Sequence, residues 1–282
     1  MKIKFISLAS GSSGNCYYLG TDNYGIMIDA GIGIRTIKKT LKEVSLSLES
    51  VRAIFVTHDH ADHIKAVGCL GEKYNIPVYS TRKVHEGINR SYCMTEKLSS
   101  CVHYIEKNTS IAIEDFTISA FEVPHDGTDN VGYCIEAGGK IFSFLTDLGH
   151  ITPVAAEYIC KANYLVLEAN YDEEMLKMGP YPEYLKKRIS GPNGHMSNNA
   201  TAEFLAENFT ECMKYIWLCH LSKDNNHPEL AYKTVEWKLR SKGIIPGKDV
   251  QVVALKRSIP SELYVFEEDG EICVKKQLDL FG

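Results

Sequence analysis

The sequence has no Cys-x-x-Cys pair, no internal repeat and no low-complexity tract. It also has no apolar run approaching the roughly 18 residues of a membrane span. Its nine cysteines (Cys16, Cys69, Cys93, Cys101, Cys134, Cys160, Cys212, Cys219 and Cys273) are odd in number and scattered. That spacing excludes a disulfide framework and a zinc ribbon, and predicts small core residues in a reducing compartment. The opening Met1-Lys2-Ile3-Lys4 and Phe5-Ile6-Ser7-Leu8-Ala9 lacks the apolar h-region of about 7 to 15 residues that a secretory signal carries. It reads as a first strand, with the cytoplasm as the expected location and no membrane partner. A global basic field is missing too, since 31 Lys and Arg face 36 Asp and Glu for a net charge of -5. A nucleic-acid coat protein is thereby excluded, whereas a local basic groove is not.

What is present fits a folded chain of 282 residues, 44% hydrophobic and 24% charged, enough for one large core or two small ones. With no linker in sight, a single domain over residues 1–282 is expected. Strand-like runs occur at Ile3 to Leu8, Cys16 to Leu19, Gly25 to Ile28, Arg52 to Thr57, Val78 to Ser80, Phe116 to Glu122, Val131 to Glu136 and Lys140 to Thr146. Helical spacing marks Ile34 to Leu41, Val154 to Cys160, Ala200 to Asn208 and Leu230 to Leu239. Between 101 and 146 several strands follow one another without crossover helices. This favours two sheets with helices packed outside them over a strict βαβ array.

The decisive segment is Thr57-His58-Asp59-His60-Ala61-Asp62-His63, directly after the apolar Ala53-Ile54-Phe55-Val56. In an extended chain alternate side chains share a side, so His58 and His60 can converge on one ion. Asp62 and His63 follow, where the chain is expected to turn into a helix, and can face a second ion. Imidazole with carboxylate suits zinc, manganese or iron. Three histidines and an aspartate at a buried strand end are costly unless they share a charge partner. Metal binding therefore explains them better than packing does.

The run resembles the His-x-His-x-Asp-His signature of the metallo-β-lactamase superfamily. That resemblance implies an α+β fold, an αββα four-layer sandwich of two mixed β-sheets flanked by helices. It also implies roles beyond the run. Asp29, ending Gly25-Ile26-Met27-Ile28-Asp29, is the acid that orients the ligand loop; His125, Asp147 and His220 complete the ligands. His58, His60 and His125 hold one divalent ion, Asp62, His63 and His220 the other, and Asp147 bridges both. Two metals about 3.5 to 4 Å apart can activate a water and clamp both oxygens of a displacement. The implied chemistry is hydrolysis, with Asp62, Asp147 and His195 as catalytic residues. His60 stands where the redox di-iron branch places Glu, which argues against that branch.

A second segment narrows the class. Gly191-Pro192-Asn193-Gly194 delivers His195 just before a helix that Ser197, Asn198 or Asn199 can cap. The positive end of such a helix favours an anion, and an imidazole at its lip can contact a phosphoryl oxygen or protonate a leaving alkoxide. Gly194-His195-Met196-Ser197-Asn198 resembles the accessory-histidine motif of the superfamily's phosphodiesterase branch. Ser10-Gly11-Ser12-Ser13-Gly14-Asn15-Cys16, Leu167-Glu168-Ala169-Asn170-Tyr171-Asp172 and His220-Leu221-Ser222-Lys223-Asp224-Asn225-Asn226 resemble the YycJ/WalJ family more narrowly. That family implies a 5'-to-3' exonuclease on double-stranded DNA, hence nucleic acid as substrate. Tyr171 departs from the family, standing where many relatives carry His.

Lys186, Lys187 and Arg188, with His195 and Ser197, are candidate phosphate contacts, although solvated helix surface explains such a charge run equally. Tyr181 and Tyr184 are open between base stacking and packing, and Asn15 between shaping the site and forming a turn. His150 is open between the site and a surface turn, whereas His227 reads as part of a helix cap before Pro228. Two other classes fit the same pattern: a small-molecule hydrolase (cyclic phosphodiesterase, lactonase or thioesterase) and a non-catalytic nucleic-acid-binding relative.

Overall fold

The computed structural model describes residues 1–267 and the backbone of a last strand, Ile272–Lys275; the side chain of Cys273 lies outside the described residues. The chain opens with β1 (Ile3–Gly11), β2 (Gly14–Gly20), β3 (Gly25–Ile28), β4 (Val51–Phe55), β5 (Val78–Ser80) and β6 (Val102–Tyr104). It continues with β7 (Thr109–Ile113), β8 (Phe116–Glu122), β9 (Val131–Ala137), β10 (Lys140–Leu145), β11 (Tyr164–Glu168), β12 (Tyr215–Cys219) and β13 (Gln251–Ala254), and returns with β14 (Leu263–Phe266) and β15 (Ile272–Lys275). One sheet has the order β15-β14-β1-β2-β3-β4-β5-β6, the other β13-β12-β11-β10-β9-β8-β7. Both are mixed: hairpins make β1, β2 and β3 antiparallel, and β7 to β10 likewise. Crossovers make β3 to β6 and β10 to β13 parallel.

The crossovers carry the helices. On the first sheet they are α1 (Ile34–Glu43), α2 (Ala61–Ile64), α3 (Val67–Tyr74) and α4 (Arg82–Arg90). On the second they are α5 (Pro153–Cys160), α6 (Glu173–Met178), α7 (Glu183–Ile189), α8 (Asn198–Glu207) and α9 (Pro228–Ser241). Strand alternation sets the layers. Phe5, Tyr17, Ile26 and Phe55 face the second sheet, where Phe116, Tyr133, Phe144 and Trp217 meet them in one core. Their neighbours Ile6, Tyr18, Met27 and Ile54 face outward onto Ile37, Leu41, Leu70 and Ile88 of the first helical layer. Leu165, Leu167, Ile216 and Leu218 pack onto Ile159, Leu205, Val235 and Leu239 of the other. The result is the expected αββα sandwich. Because both faces of each sheet are covered, the central strands read as near-continuous apolar runs.

Most expected elements appear within a residue or two of their bounds. β4 stops at Phe55 rather than Thr57, because the Thr57 amide donates to the Asp29 carboxylate instead of a neighbouring strand. The eight cysteines among the described residues are free, with Cys16, Cys101, Cys134 and Cys219 buried and the others half-buried. No helix among the described residues is long and apolar enough to cross a membrane.

The parallel strands end at one edge of the sandwich, where Asp29, the His58–His63 loop, Asp147, Glu168 and His220 emerge. Gly31 lets two of these loops touch. A Cβ placed there would stand 1.6 Å from the carbonyl oxygen of Asp62 and 2.2 Å from its carbonyl carbon. Both are backbone atoms that cannot swing aside. Gly31→Ala is expected to cost about 1–3 kcal/mol, the usual penalty of overpacking. The measurement is a lower urea midpoint at unchanged m-value.

Candidate metal centre

The centre is assembled on Asp29. It follows β3 in a left-handed conformation, φ 56°, and is fully buried. Its Oδ1 accepts the Thr57 amide at 2.8 Å, and its Oδ2 accepts the Thr57 hydroxyl at 2.8 Å and His63 Nδ1 at 2.7 Å. With its proton committed to Asp29, the Thr57 hydroxyl can only accept from His58 Nδ1, 3.0 Å away. One carboxylate thus fixes the tautomers of two imidazoles, and both are left with Nε2 as the free nitrogen. His125 is fixed in the same way, its Nδ1 donating to the Gly194 carbonyl at 2.8 Å.

Around these nitrogens the expected residues converge. His58, His60 and His125 form one group, His58, His63 and Asp147 a second, and Asp62, His63 and His220 a third; in each the ligating atoms lie within 4.8 Å of one another. Asp147 sits among them, with Oδ1 3.1 Å from His220 Nδ1 and 3.8 Å from His125 Nε2, and Oδ2 3.2 Å from His63 Nε2. Asp62 Oδ2 lies 3.2 Å from His220 Nε2. His220, in a left-handed conformation at φ 51°, is held by the Ser10 hydroxyl on its amide.

The two ends of this cluster differ electrostatically. Burial, only partly offset by Asp147, holds His58 well below the usual imidazole range, and also lowers His60 and His125. Burial would lower His63 as well, but Asp147, Asp29 and Asp62 outweigh it and hold His63 well above that range. At His220 burial is again outweighed, by Asp147, Asp62 and Glu168, and the group is pushed up to about 10. Burial would raise Asp147, yet His220 and His63 keep its carboxyl well below the ordinary range. Neutral imidazoles with open lone pairs thus stand beside carboxylates that demand positive charge. Two buried atoms, His58 Nε2 and Asp147 Oδ2, have no hydrogen-bond partner. Such orphans are expensive unless something else binds them. A divalent cation fits both the donor set and its charge.

Comparison with known proteins agrees with the geometry. The family described as "Beta-lactamase superfamily domain" matches residues 24–213. Exodeoxyribonuclease YycJ of Bacillus anthracis is 34% identical over 93% of this chain and 99% of its own. Exodeoxyribonuclease WalJ of Streptococcus pneumoniae is 36% identical over 88% of this chain and 93% of its own. The chain belongs to the metallo-β-lactamase superfamily and, within it, to the YycJ/WalJ family. It is a metal-dependent hydrolase. Among solved structures, zinc-bound PqqB from Methylobacterium extorquens superposes with a TM-score of 0.66 at 15% identity, over 92% of this chain and 99% of its own, and so shares the fold.

In this YycJ/WalJ member one site residue escaped sequence reasoning. Glu168 ends β11 fully buried; Oε1 accepts His195 Nδ1 at 2.6 Å and His220 Nδ1 at 3.0 Å, and Oε2 accepts the amides of Leu148 and Met196 at 3.0 and 3.1 Å. Its ligating oxygen groups with those of Asp147, His195 and His220. The signal was available: like Asp29, it is a carboxylate closing an apolar strand, Tyr164-Leu165-Val166-Leu167. Asn15 also proves to be part of the centre, with Nδ2 2.9 Å from His63 Nε2 and 3.4 Å from Asp62 Oδ2. Asn170 Nδ2 holds the His220 carbonyl at 2.8 Å.

His195 arrives as expected, with Nδ1 on Glu168 and a partly accessible ring. Its presumed helix-end anion site is a correction, because an internal anion already occupies it. Ser197 does cap α8, accepting the Ala200 amide at 3.1 Å, but its hydroxyl donates to Glu173 at 2.8 Å, and Asn199 donates to the same carboxylate. Ser197 is buried and committed there rather than free for phosphate. Lys186 Nζ donates to the Lys177 carbonyl, whereas Lys187 is exposed. Arg188 pairs with Asp126 through two hydrogen bonds of 2.6 and 3.2 Å. Tyr171 is buried, bridging to Ser197, and Tyr181 bonds Asp224. His150 is exposed on the Pro192 carbonyl, and His227 caps α9.

Glu168→Gln removes the charge that orients two histidines while keeping the volume. Metal affinity is expected to fall by about 10- to 100-fold, as for other residues that fix a ligand's orientation. Calorimetric titration of the demetallated protein with zinc or manganese measures it.

Proposed function

We propose that this chain is a dinuclear metal-dependent exonuclease that degrades double-stranded DNA in the 5'-to-3' direction. The observation that carries the reading is His195, a partly accessible imidazole anchored to Glu168 beside the cluster. Such a group can act on the phosphoryl or leaving oxygen of a phosphodiester. The exodeoxyribonuclease names of relatives aligned over nearly the whole chain support a DNA substrate.

His58, His60 and His125 would hold one ion, Asp62, His63 and His220 the other, with Asp147 shared between them. Zinc, manganese and iron all suit these donors. Bound there, two divalent ions supply an acidified water and offset the charge that builds on phosphorus. The chain's own groups do the rest. Asp29 keeps His63 turned inward directly and His58 through Thr57. Glu168 accepts a hydrogen bond from the Nδ1 proton of His195, so a second proton, taken up on Nε2, is the one that would bond the phosphoryl oxygen or pass to the leaving oxygen. Lys187 and Arg188 are the basic candidates with exposed side chains near this loop, and Arg188 is paired with Asp126.

The test is digestion of end-labelled single- and double-stranded DNA and RNA with each metal, beside a bis-aryl phosphodiester and a lactone. Progressive release of the 5' label from duplex DNA, abolished by chelation and restored by metal, is the expected result; no nucleic-acid cleavage with any ion overturns the reading. Asp62→Ala should lower metal content from two ions to one by elemental analysis. His195→Ala should keep both ions yet slow cleavage by roughly 10²- to 10⁴-fold, the range of general acid–base assistance.

A further inference from the structure

The crossover from β11 to β12 contains an element that the metal centre does not use. None of the side chains of α7 is buried, and a cavity of about 430 Å³ lined by Tyr171, Leu176, Lys177 and Lys186 lies beside it. A helix whose side chains are at most half-buried owes little of its place to core packing. Its last turn is held by the His195 amide on the Ile189 carbonyl at 2.8 Å and by the Arg188–Asp126 ion pair. Asp126 Oδ1 is in turn 3.5 Å from His60 Nε2 and 3.5 Å from His125 Nε2. Arg188 therefore pins α7 to the mouth of the metal centre.

The register of α7 then places two more side chains. Tyr184 and Lys187 share the face of Arg188, at i, i+3 and i+4. Tyr184 is 75% exposed, an unusual state for an aromatic ring. One helical turn, about 5.4 Å, separates it from the residue pinned at the mouth. That is between one and two base steps of about 3.4 Å along a stacked strand.

We propose that Tyr184 and Lys187 form a strand-end grip: the Tyr184 ring stacks on the terminal base and Lys187 neutralises the phosphate next to it, with Arg188 as the positioning residue. The inference rests on the nuclease reading and deepens it. A duplex interior covers both faces of every base, and only an end leaves one face open to an aromatic ring. An exposed tyrosine one helical turn from Arg188 thus selects termini over internal sites, and its contact is indifferent to sequence because every base has a π-face. Lys187 adds the backbone charge contact that makes such binding salt-dependent.

The experiment compares wild type, Tyr184→Ala, Tyr184→Trp and Lys187→Ala, all metal-loaded, on linear duplex DNA and on bis(p-nitrophenyl) phosphate. Tyr184→Ala should raise KM for DNA about tenfold, the effect of losing one base–aromatic stack, and leave hydrolysis of the small ester unchanged. Tyr184→Trp should restore the wild-type KM. A terminal abasic nucleotide should weaken the wild type equally and Tyr184→Ala no further. Lys187→Ala should flatten the slope of log affinity against log salt by about 0.9, the share of one duplex phosphate. A Tyr184→Ala enzyme with wild-type KM on DNA, or one that loses small-ester hydrolysis in proportion, overturns the grip while the nuclease reading stands. A wild type that hydrolyses the small ester but leaves DNA intact overturns both.

Discussion

The buried carboxylate of Asp29 is the contact from which the rest of the site follows. A charge with no exposed surface is unfavourable unless every lone pair is used, and Asp29 uses its own on the Thr57 amide, the Thr57 hydroxyl and His63. Each of those donors would cost about 1–3 kcal/mol if left unpaired in the interior. The three bonds are therefore mutually required. They stop β4, turn the His58–His63 loop away from the sheet and set which nitrogen of His58 and His63 is free. The left-handed backbone at Asp29 is the local strain that the network holds in place.

Glu168 repeats the arrangement on the second sheet. It too closes a parallel strand, is fully buried, and spends its oxygens on two histidines and two backbone amides. The site is consequently built from two carboxylate anchors, one per sheet, at the edge where the parallel strands end. This accounts for the unequal behaviour of the histidines. At His58, His60 and His125 burial outweighs the carboxylates, the nearest of which lie 3.5 Å from His60 and His125, whereas His63 and His220 each have carboxylates at 3.2 Å or less that overrule it.

Local patterns made much of this legible in the sequence. Strands covered on both faces show as apolar runs, and histidines or acids directly after them stand out because nothing in packing favours them there. That logic located the His58–His63 run, and the resemblance to the superfamily supplied Asp29, Asp147 and His220, which also follow apolar strands. The same logic applied equally to Glu168, which was read as part of a motif because its partners, His195 and His220, lie 27 and 52 residues away. Helix α4 was missed for a different reason. Its Gly87 weakens the helical pattern, yet a Cβ there would stand 2.0 Å from the Asp59 carboxylate, so close approach overrides propensity. The anion expected at the start of α8 was sound electrostatics with the wrong source, since Glu173, one crossover segment earlier, fills the position.

The division of labour between frame and insertion follows from chain length. Other parallel crossovers of the second sheet use one helix, α5 or α9, whereas the one between β11 and β12 carries α6, α7 and α8 and the His195 loop. A sandwich of this kind needs only one helix there to cover Leu165 and Ile216, and α8 does so. The surplus, α6 and α7, buries little and so is not selected by core packing. It is anchored at both ends of its reach, to the cluster through Arg188–Asp126 and to the body through Glu173 on Ser197 and Asn199. An insertion tethered by ion pairs and caps rather than by apolar area can change its outward residues without disturbing the metals. The proposed strand-end grip therefore sets substrate choice on α7, above the strand ends that gather the metal cluster.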